Sequence, residues 1–210
     1  MKVLITTVVI CLVMFPSLYA EEAKNNDPKL TCKYFDSLSN NLKICSIVNR
    51  GRNVNIKNEI STKHLYTAAT KAMNSGAYRD IWRKSEYYSK GNMSFEAWMV
   101  DLNKDGIEEA IVIPSTGEFC GASGNGDIFV LKRSSDKDSK DWMLIGVLSG
   151  NALHIESQRT NDYFDVIVHW SMGATEGYLT RYKMSEKTGR YEMVIGRKYQ
   201  CTIKSQTPCF

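Results

Sequence analysis

The stretch Phe95-Glu96-Ala97-Trp98-Met99-Val100-Asp101-Leu102-Asn103-Lys104-Asp105-Gly106-Ile107-Glu108-Glu109-Ala110-Ile111-Val112-Ile113-Pro114 decides the fold. Its two ends are short runs rich in β-branched, aromatic and other apolar residues, a pattern of strands. Between them, oxygen-bearing side chains recur at every second position, Asp101, Asn103 and Asp105, then Gly106 follows and Glu109 closes the set. Ca²⁺ is a hard ion that takes six to eight oxygens. This loop offers the side chains of Asp101, Asn103, Asp105 and Glu109 and the carbonyl of Ile107, provided that Gly106 permits the sharp turn. The twelfth position of the loop, where a helix-flanked calcium motif needs a bidentate Glu, is Val112, so an EF-hand is excluded. The same residue types also close an Asx-type turn on their own backbone with no metal, and the spacing leaves both readings open.

Upstream, residues 21–58 are polar and irregular apart from Ile44 to Val48, and a helix is expected to start after the N-cap Ser61. Leu65, Ala68, Ala69, Ala72 and Met73 fall on one face of it, and Asn74-Ser75-Gly76 ends it. A second helical stretch is expected over Tyr78 to Tyr88. Downstream, strands are expected at 95–100, 109–114, 127–132, 142–148, 152–156, 164–170, 177–184 and 190–195, separated by turn-rich segments. Helices followed by strands predict an α+β fold, with N-terminal helices packed on an antiparallel meandering β-sheet that carries the calcium-loop hairpin. The loop does not repeat at a fixed period, which argues against a propeller.

The chain opens with Met1-Lys2, an apolar run from Val3 to Phe15, and a small residue, Ala20, before Glu21-Glu22. This is the form of an export signal over residues 1–20, leaving residues 21–210 as a single exported domain, periplasmic or secreted. The apolar run is too short for a membrane span, and no later stretch is longer, so no transmembrane segment is expected in the mature chain. Net charge is a modest +4, and no basic run interleaves with aromatics, so nucleic acid is not an expected partner. Cys11 falls in the signal. Cys32, Cys45, Cys120, Cys201 and Cys209 remain, and an oxidising compartment should pair most of them, with one left over. Spacing does not fix the pairs, and without a Cys-x-x-Cys neither a zinc ribbon nor a thioredoxin-like site is indicated.

Residues 95–114 resemble the FG-GAP type of calcium hairpin, a nine-residue Asp-x-Asp/Asn-x-Asp-Gly-x-x-Asp/Glu loop between two strands found in exported bacterial proteins. Here the final ligand position holds Glu109, and Lys104 lies within the loop. The resemblance implies a structural Ca²⁺ held by Asp101, Asn103, Asp105, Ile107 and Glu109. Proteins of that kind often carry a Cys-Gly-x-x-Gly-Cys segment after the hairpin. This chain has Cys120-Gly121-Ala122-Ser123-Gly124 followed by Asn125, so the second cysteine is missing.

Catalysis through Cys120 would need a base and oxyanion donors around the thiol, and His64, His154 and His169 are available. The surrounding residues match no local thiol-hydrolase signature, and the histidines show none of the close spacings that bind transition metals. Asp162 and Asp165, flanking Tyr163, suit a turn before a strand, and Ser171 to Gly177 a loop that lacks the lysine of a phosphate loop. The reading that follows is a non-catalytic binding protein of inhibitor or immunity type, whose partner is an envelope or extracellular protein. The competing reading is a cysteine-dependent hydrolase of envelope peptides or peptidoglycan.

Overall fold

Alternate residues of the first hairpin face opposite sides of its sheet, and both sides are covered. The computed structural model describes residues 48, 50–59, 61–77, 79–115, 125–134, 140–172 and 176–200. In strand β2 (Phe95–Val100), Phe95 and Ala97 join one buried cluster while Trp98 joins another. Strand β3 (Glu109–Pro114) behaves alike: Ala110 and Val112 face one way, Ile111 and Ile113 the other, and every residue is buried. A strand buried on both faces reads as a continuous apolar run, which is why Ala110-Ile111-Val112-Ile113 shows no polar alternation.

These strands lie in a five-stranded antiparallel sheet of order β1-β2-β3-β4-β5, whose other members are β1 (Arg52–Ile56), β4 (Gly126–Arg133) and β5 (Trp142–Gly150). A second antiparallel sheet runs in sequence order through β6 (Ala152–Thr160), β7 (Tyr163–Ser171), β8 (Glu176–Ser185) and β9 (Arg190–Gln200). The chain crosses between the sheets at Gly150-Asn151. A Cβ at Gly150 would lie 2.2 Å from the His169 carbonyl oxygen, while the Asn151 N–H bonds that same oxygen at 2.8 Å, so the crossing admits no side chain at 150. Between the sheets lies one apolar core, with Trp98, Ile111, Ile128, Val130, Ile145 and Leu148 from the first and Leu153, Ile155, Val166, Val168 and Met184 from the second.

The other face of the five-stranded sheet is met by a short helical excursion between β1 and β2. It comprises α1 (Lys63–Ala72), a 3₁₀ turn (Met73–Ser75), α2 (Arg79–Lys84) and α3 (Glu86–Ser89). Leu65, Tyr66, Ala69, Ala72 and Met73 pack there against Phe95, Ala97, Val112, Phe129 and Leu131, and Tyr66 meets the Phe95 ring edge-on at 5.7 Å.

The expected architecture, N-terminal helices packed on one antiparallel meandering sheet, is overturned. Among the described residues strand accounts for 54% and helix for 18%, the strands form two sheets, and the helices are one piece inserted after the first strand. Two physical features misled the reading. Arg52-Asn53-Val54-Asn55-Ile56 is an edge strand whose largely exposed residues lack apolar alternation, so it read as loop. The sheet break at Gly150-Asn151 leaves no mark beyond a short turn, since strands continue on both sides of it just as they do across a hairpin.

The helices also differ in detail. Ser61 does not cap α1; Thr62 precedes it, its hydroxyl donating to the Lys57 carbonyl at 2.6 Å. The second helical stretch breaks at Ser85, whose hydroxyl accepts from the Tyr87 N–H at 3.2 Å and caps α3. Among the described residues no helix is long and apolar enough to cross a membrane, which says nothing of strands. The expected export signal over residues 1–20, Cys32, Cys45, Cys120, Cys201 and Cys209, and most of the segment around Cys120 lie outside the described residues.

Candidate functional site

The loop joining β2 to β3 is organised by its own acidic and amide side chains. Asp101 accepts the Asp105 N–H on Oδ1 at 3.2 Å and the Gly106 N–H on Oδ2 at 2.9 Å. Asn103 Oδ1 also accepts the Asp105 N–H, at 3.1 Å, and its Nδ2 donates to Asp105 Oδ2 at 2.7 Å. Asp105 Oδ1 accepts the Ile107 N–H at 2.7 Å. Each is the side chain-to-backbone bond by which Asp and Asn shape turns, and the alternate spacing follows from the reach of those side chains. Two residues in the loop hold left-handed backbone, Lys104 at φ 62° and Gly106 at φ 84°. Gly106 is the natural occupant of such a position.

Glu109, the first residue of β3, closes the loop from below. Its Oε2 accepts the Leu102 N–H at 2.8 Å, the residue is wholly buried, and its Oε1 has no hydrogen-bond partner. Burial, with Asp105 and Asp101 adding like charge, raises its pKa to about 7, against the opposing pull of the Leu102 N–H and Lys132. Asp105 goes the other way. Desolvation raises its pKa, but the Asn103 amide, the Ile107 N–H and the charge of Lys132 together hold it below the ordinary carboxylate value.

The expected ligands are therefore on one loop, but they are not gathered on one point. Asp101, Asn103 and Asp105 spend oxygens on backbone amides, and Ile107 supplies its N–H to Asp105. Among the described residues no group of three or more His, Cys, Asp or Glu side chains is arranged to hold a metal ion. The chemistry of the donors nevertheless suits a hard dication, being all oxygen, and the bare Glu109 Oε1 is the atom such an ion would partner.

A second ring of residues, which the sequence did not reveal, surrounds this loop. Tyr163, at the start of β7, accepts at its hydroxyl from Lys132 Nζ at 2.7 Å and from Asn103 Nδ2 at 3.3 Å. That hydrogen bond, together with Tyr163, Glu109 and Asp105, holds the Lys132 pKa above its usual value despite burial. Arg159, late in β6, donates from Nη2 to the Asn103 carbonyl at 2.7 Å and from Nε to the Asp162 carbonyl at 2.9 Å. Asn161 and Asp162, both left-handed, make the tight turn into β7. Lys104, which the sequence placed inside the calcium loop, has its ammonium 5.2 Å from the Phe164 ring centroid. Arg50 and Arg159 approach the same ring at 5.6 and 5.7 Å. Each such contact is worth about 0.5–1 kcal/mol when exposed. No sequence signal marks this ring of residues, because Lys132, Arg159 and Tyr163 are each far from the loop along the chain.

The histidines stand apart from the loop. His64 is exposed on α1, while burial lowers the pKa of His154 on β6 and takes that of His169 on β7 to about 4, leaving both neutral at physiological pH. Asp165 is fully buried on β7, 3.6 Å from Lys183 Nζ, rather than lining the turn with Asp162. Neither the family models, the curated proteins nor the solved structures give a match to this chain.

Proposed function

We propose that the protein is an exported, non-catalytic binding protein of inhibitor or immunity type. Its partner is an envelope or extracellular protein, and a structural Ca²⁺ on the β2–β3 loop fixes the surface that it presents. The ion is assigned to Asp101, Asn103, Asp105, the Ile107 carbonyl and Glu109. One observation supports this above the rest: a fully buried carboxylate, Glu109, at the base of an oxygen-rich loop with one oxygen unpartnered. An unpaired buried carboxylate is costly unless a proton or a cation joins it. With oxygen donors from Asp101, Asn103 and Asp105 on the same loop, a dication is the partner that uses all of them.

The test compares melting temperatures of chelator-stripped protein with and without millimolar calcium. Preferential binding to the native state should raise the midpoint, with an affinity of about 10⁻⁴ to 10⁻³ M, the range of extracellular modules. Asp105→Ala should abolish the gain. Glu109→Gln separates ion from proton: it removes the buried charge, so the calcium-free protein should not lose stability at pH 8, yet the response to calcium should vanish. An unchanged midpoint for the unmodified protein would sink the calcium site.

A further inference from the structure

We infer that Arg50, Lys104 and Arg159, gathered around the Phe164 ring, form a docking site for an acidic segment of a protein partner; this names the partner chemistry of the binding function proposed above and rests on that reading. The three cations come from three separate segments: the approach to β1, the β2–β3 loop and the end of β6. Their charged centres lie 5.6, 5.2 and 5.7 Å from one ring centroid, so no two are farther apart than about twice that distance. Screening at physiological salt acts over about 8 Å, and each cation lies within that distance of the ring centroid, so an anion drawn toward the ring is attracted by all three.

Among the described residues only one carboxylate, that of Asp162, forms an ion pair with any of the three. The Nε and Nη2 atoms of Arg159 donate to uncharged carbonyls, and its nearest carboxylate, Asp162, is 3.9 Å away and 93% exposed. Among the described residues neither Arg50 nor Lys104 has a carboxylate partner; the nearby acidic side chain Glu108 pairs with Arg52 instead. Lys104 also occupies left-handed backbone that a lysine rarely adopts, a conformation that sets its ammonium at the ring.

The arrangement favours separated carboxylates over one compact anion. The cations are spread around a ring, and Asp101 and Asp105 lie on the same loop as Lys104, where they would oppose a dense dianion. The Arg50 guanidinium can pair a carboxylate bidentately while Arg159 has only Nη1 to offer, and rim charges of this kind chiefly set encounter and salt dependence.

The experiment titrates a fluorescent Glu octapeptide with the full exported chain in calcium, at 50 and 200 mM NaCl. Binding should weaken about fivefold or more at the higher salt, and Arg50→Gln with Lys104→Asn should weaken it about tenfold or more. Asn tolerates the left-handed position, and Arg50→Gln alone serves should the double variant melt early. Peptide binding that is absent, or unchanged in these variants, overturns the site. So does preference for inorganic phosphate or for anionic phospholipid vesicles over the peptide. The calcium-dependent melting shift is read in the same samples. If the shift persists while the peptide fails to bind, only the docking site falls. If the peptide binds without the shift, only the calcium assignment falls.

Discussion

At Glu109 a buried carboxylate accepts one backbone amide and has no protein partner for its other oxygen, and this makes the loop sensitive to protons. Its pKa is about 7 in the fold against an ordinary 4.5, so the native state binds more protons than the unfolded chain between those values. The contribution of Glu109 to the stability of the calcium-free protein should therefore be full below pH 4.5, fall as pH rises toward 7, and vanish above it. Asp105, shifted downward, contributes in the opposite sense in acid, outside that window, whereas the buried His154 and His169, also shifted downward, oppose Glu109 within it. Calcium requires the ionised carboxylate and should reverse the trend. Urea midpoints at pH 5.5 and 8, in chelator and in calcium, compared between the protein and Glu109→Gln so that the contribution of the histidines cancels, check both arms; a chelated protein whose change in midpoint between the two values matches that of Glu109→Gln would contradict the burial of this charge. The loop was legible at this scale because Asp, Asn and Gly at alternate positions act on their own neighbours. The partners that close around it, Lys132, Arg159, Tyr163 and Phe164, were not, since only the sheet pairing brings them there.

Among the elements, the helical excursion is held by contacts that its sequence pattern did announce and by one that it did not. Leu65, Ala69 and Ala72 on one face of α1, continued by Met73 of the 3₁₀ turn, follow helical spacing. The unannounced contact is Gly76, which ends the 3₁₀ turn directly over the buried Asp127. A Cβ there would lie 2.1 Å from Asp127 Oδ2, and Asp127 Oδ1 accepts the Ala77 N–H at 3.1 Å. Gly76→Ala would ordinarily stabilise a chain by about 0.4–1 kcal/mol through the unfolded state. Here it should destabilise instead, and a raised melting temperature would show that the contact is absent. Phe95→Ala, which empties the meeting point of Tyr66 and the first sheet, should cost about 3–5 kcal/mol by denaturant titration. The edge strand β1 and the break at Ser85 escaped the sequence for a shared reason: short elements with exposed polar residues are set by their neighbours rather than by their own periodicity.

For the whole molecule, two sheets share one core, and each is a meander of consecutive strands. Most strand positions were legible because turn residues punctuate apolar runs. Their division into two layers was not, because it depends on Gly150 and Asn151 carrying the chain across at a point where only a residue without a side chain fits. That crossing has a consequence for the order of manufacture. Everything in the five-stranded sheet leaves the ribosome before any strand of the four-stranded one, and neighbouring strands close quickly because little chain separates them. For as long as residues 152–200 are still to come, Ile111, Ile128, Ile145 and Leu148 have no facing layer, and the nascent chain carries an open apolar wall. A chain ending at Gly150 should freeze that moment: it is expected to retain strand signal by circular dichroism, bind a hydrophobic dye and self-associate during sedimentation, whereas the complete chain does neither. A soluble, dye-silent fragment would mean that the first sheet waits for the second before it forms. If the wall is real, the interval between the two halves is when this chain most needs a holding chaperone, and export in an unfolded state would move that need to the far side of the membrane.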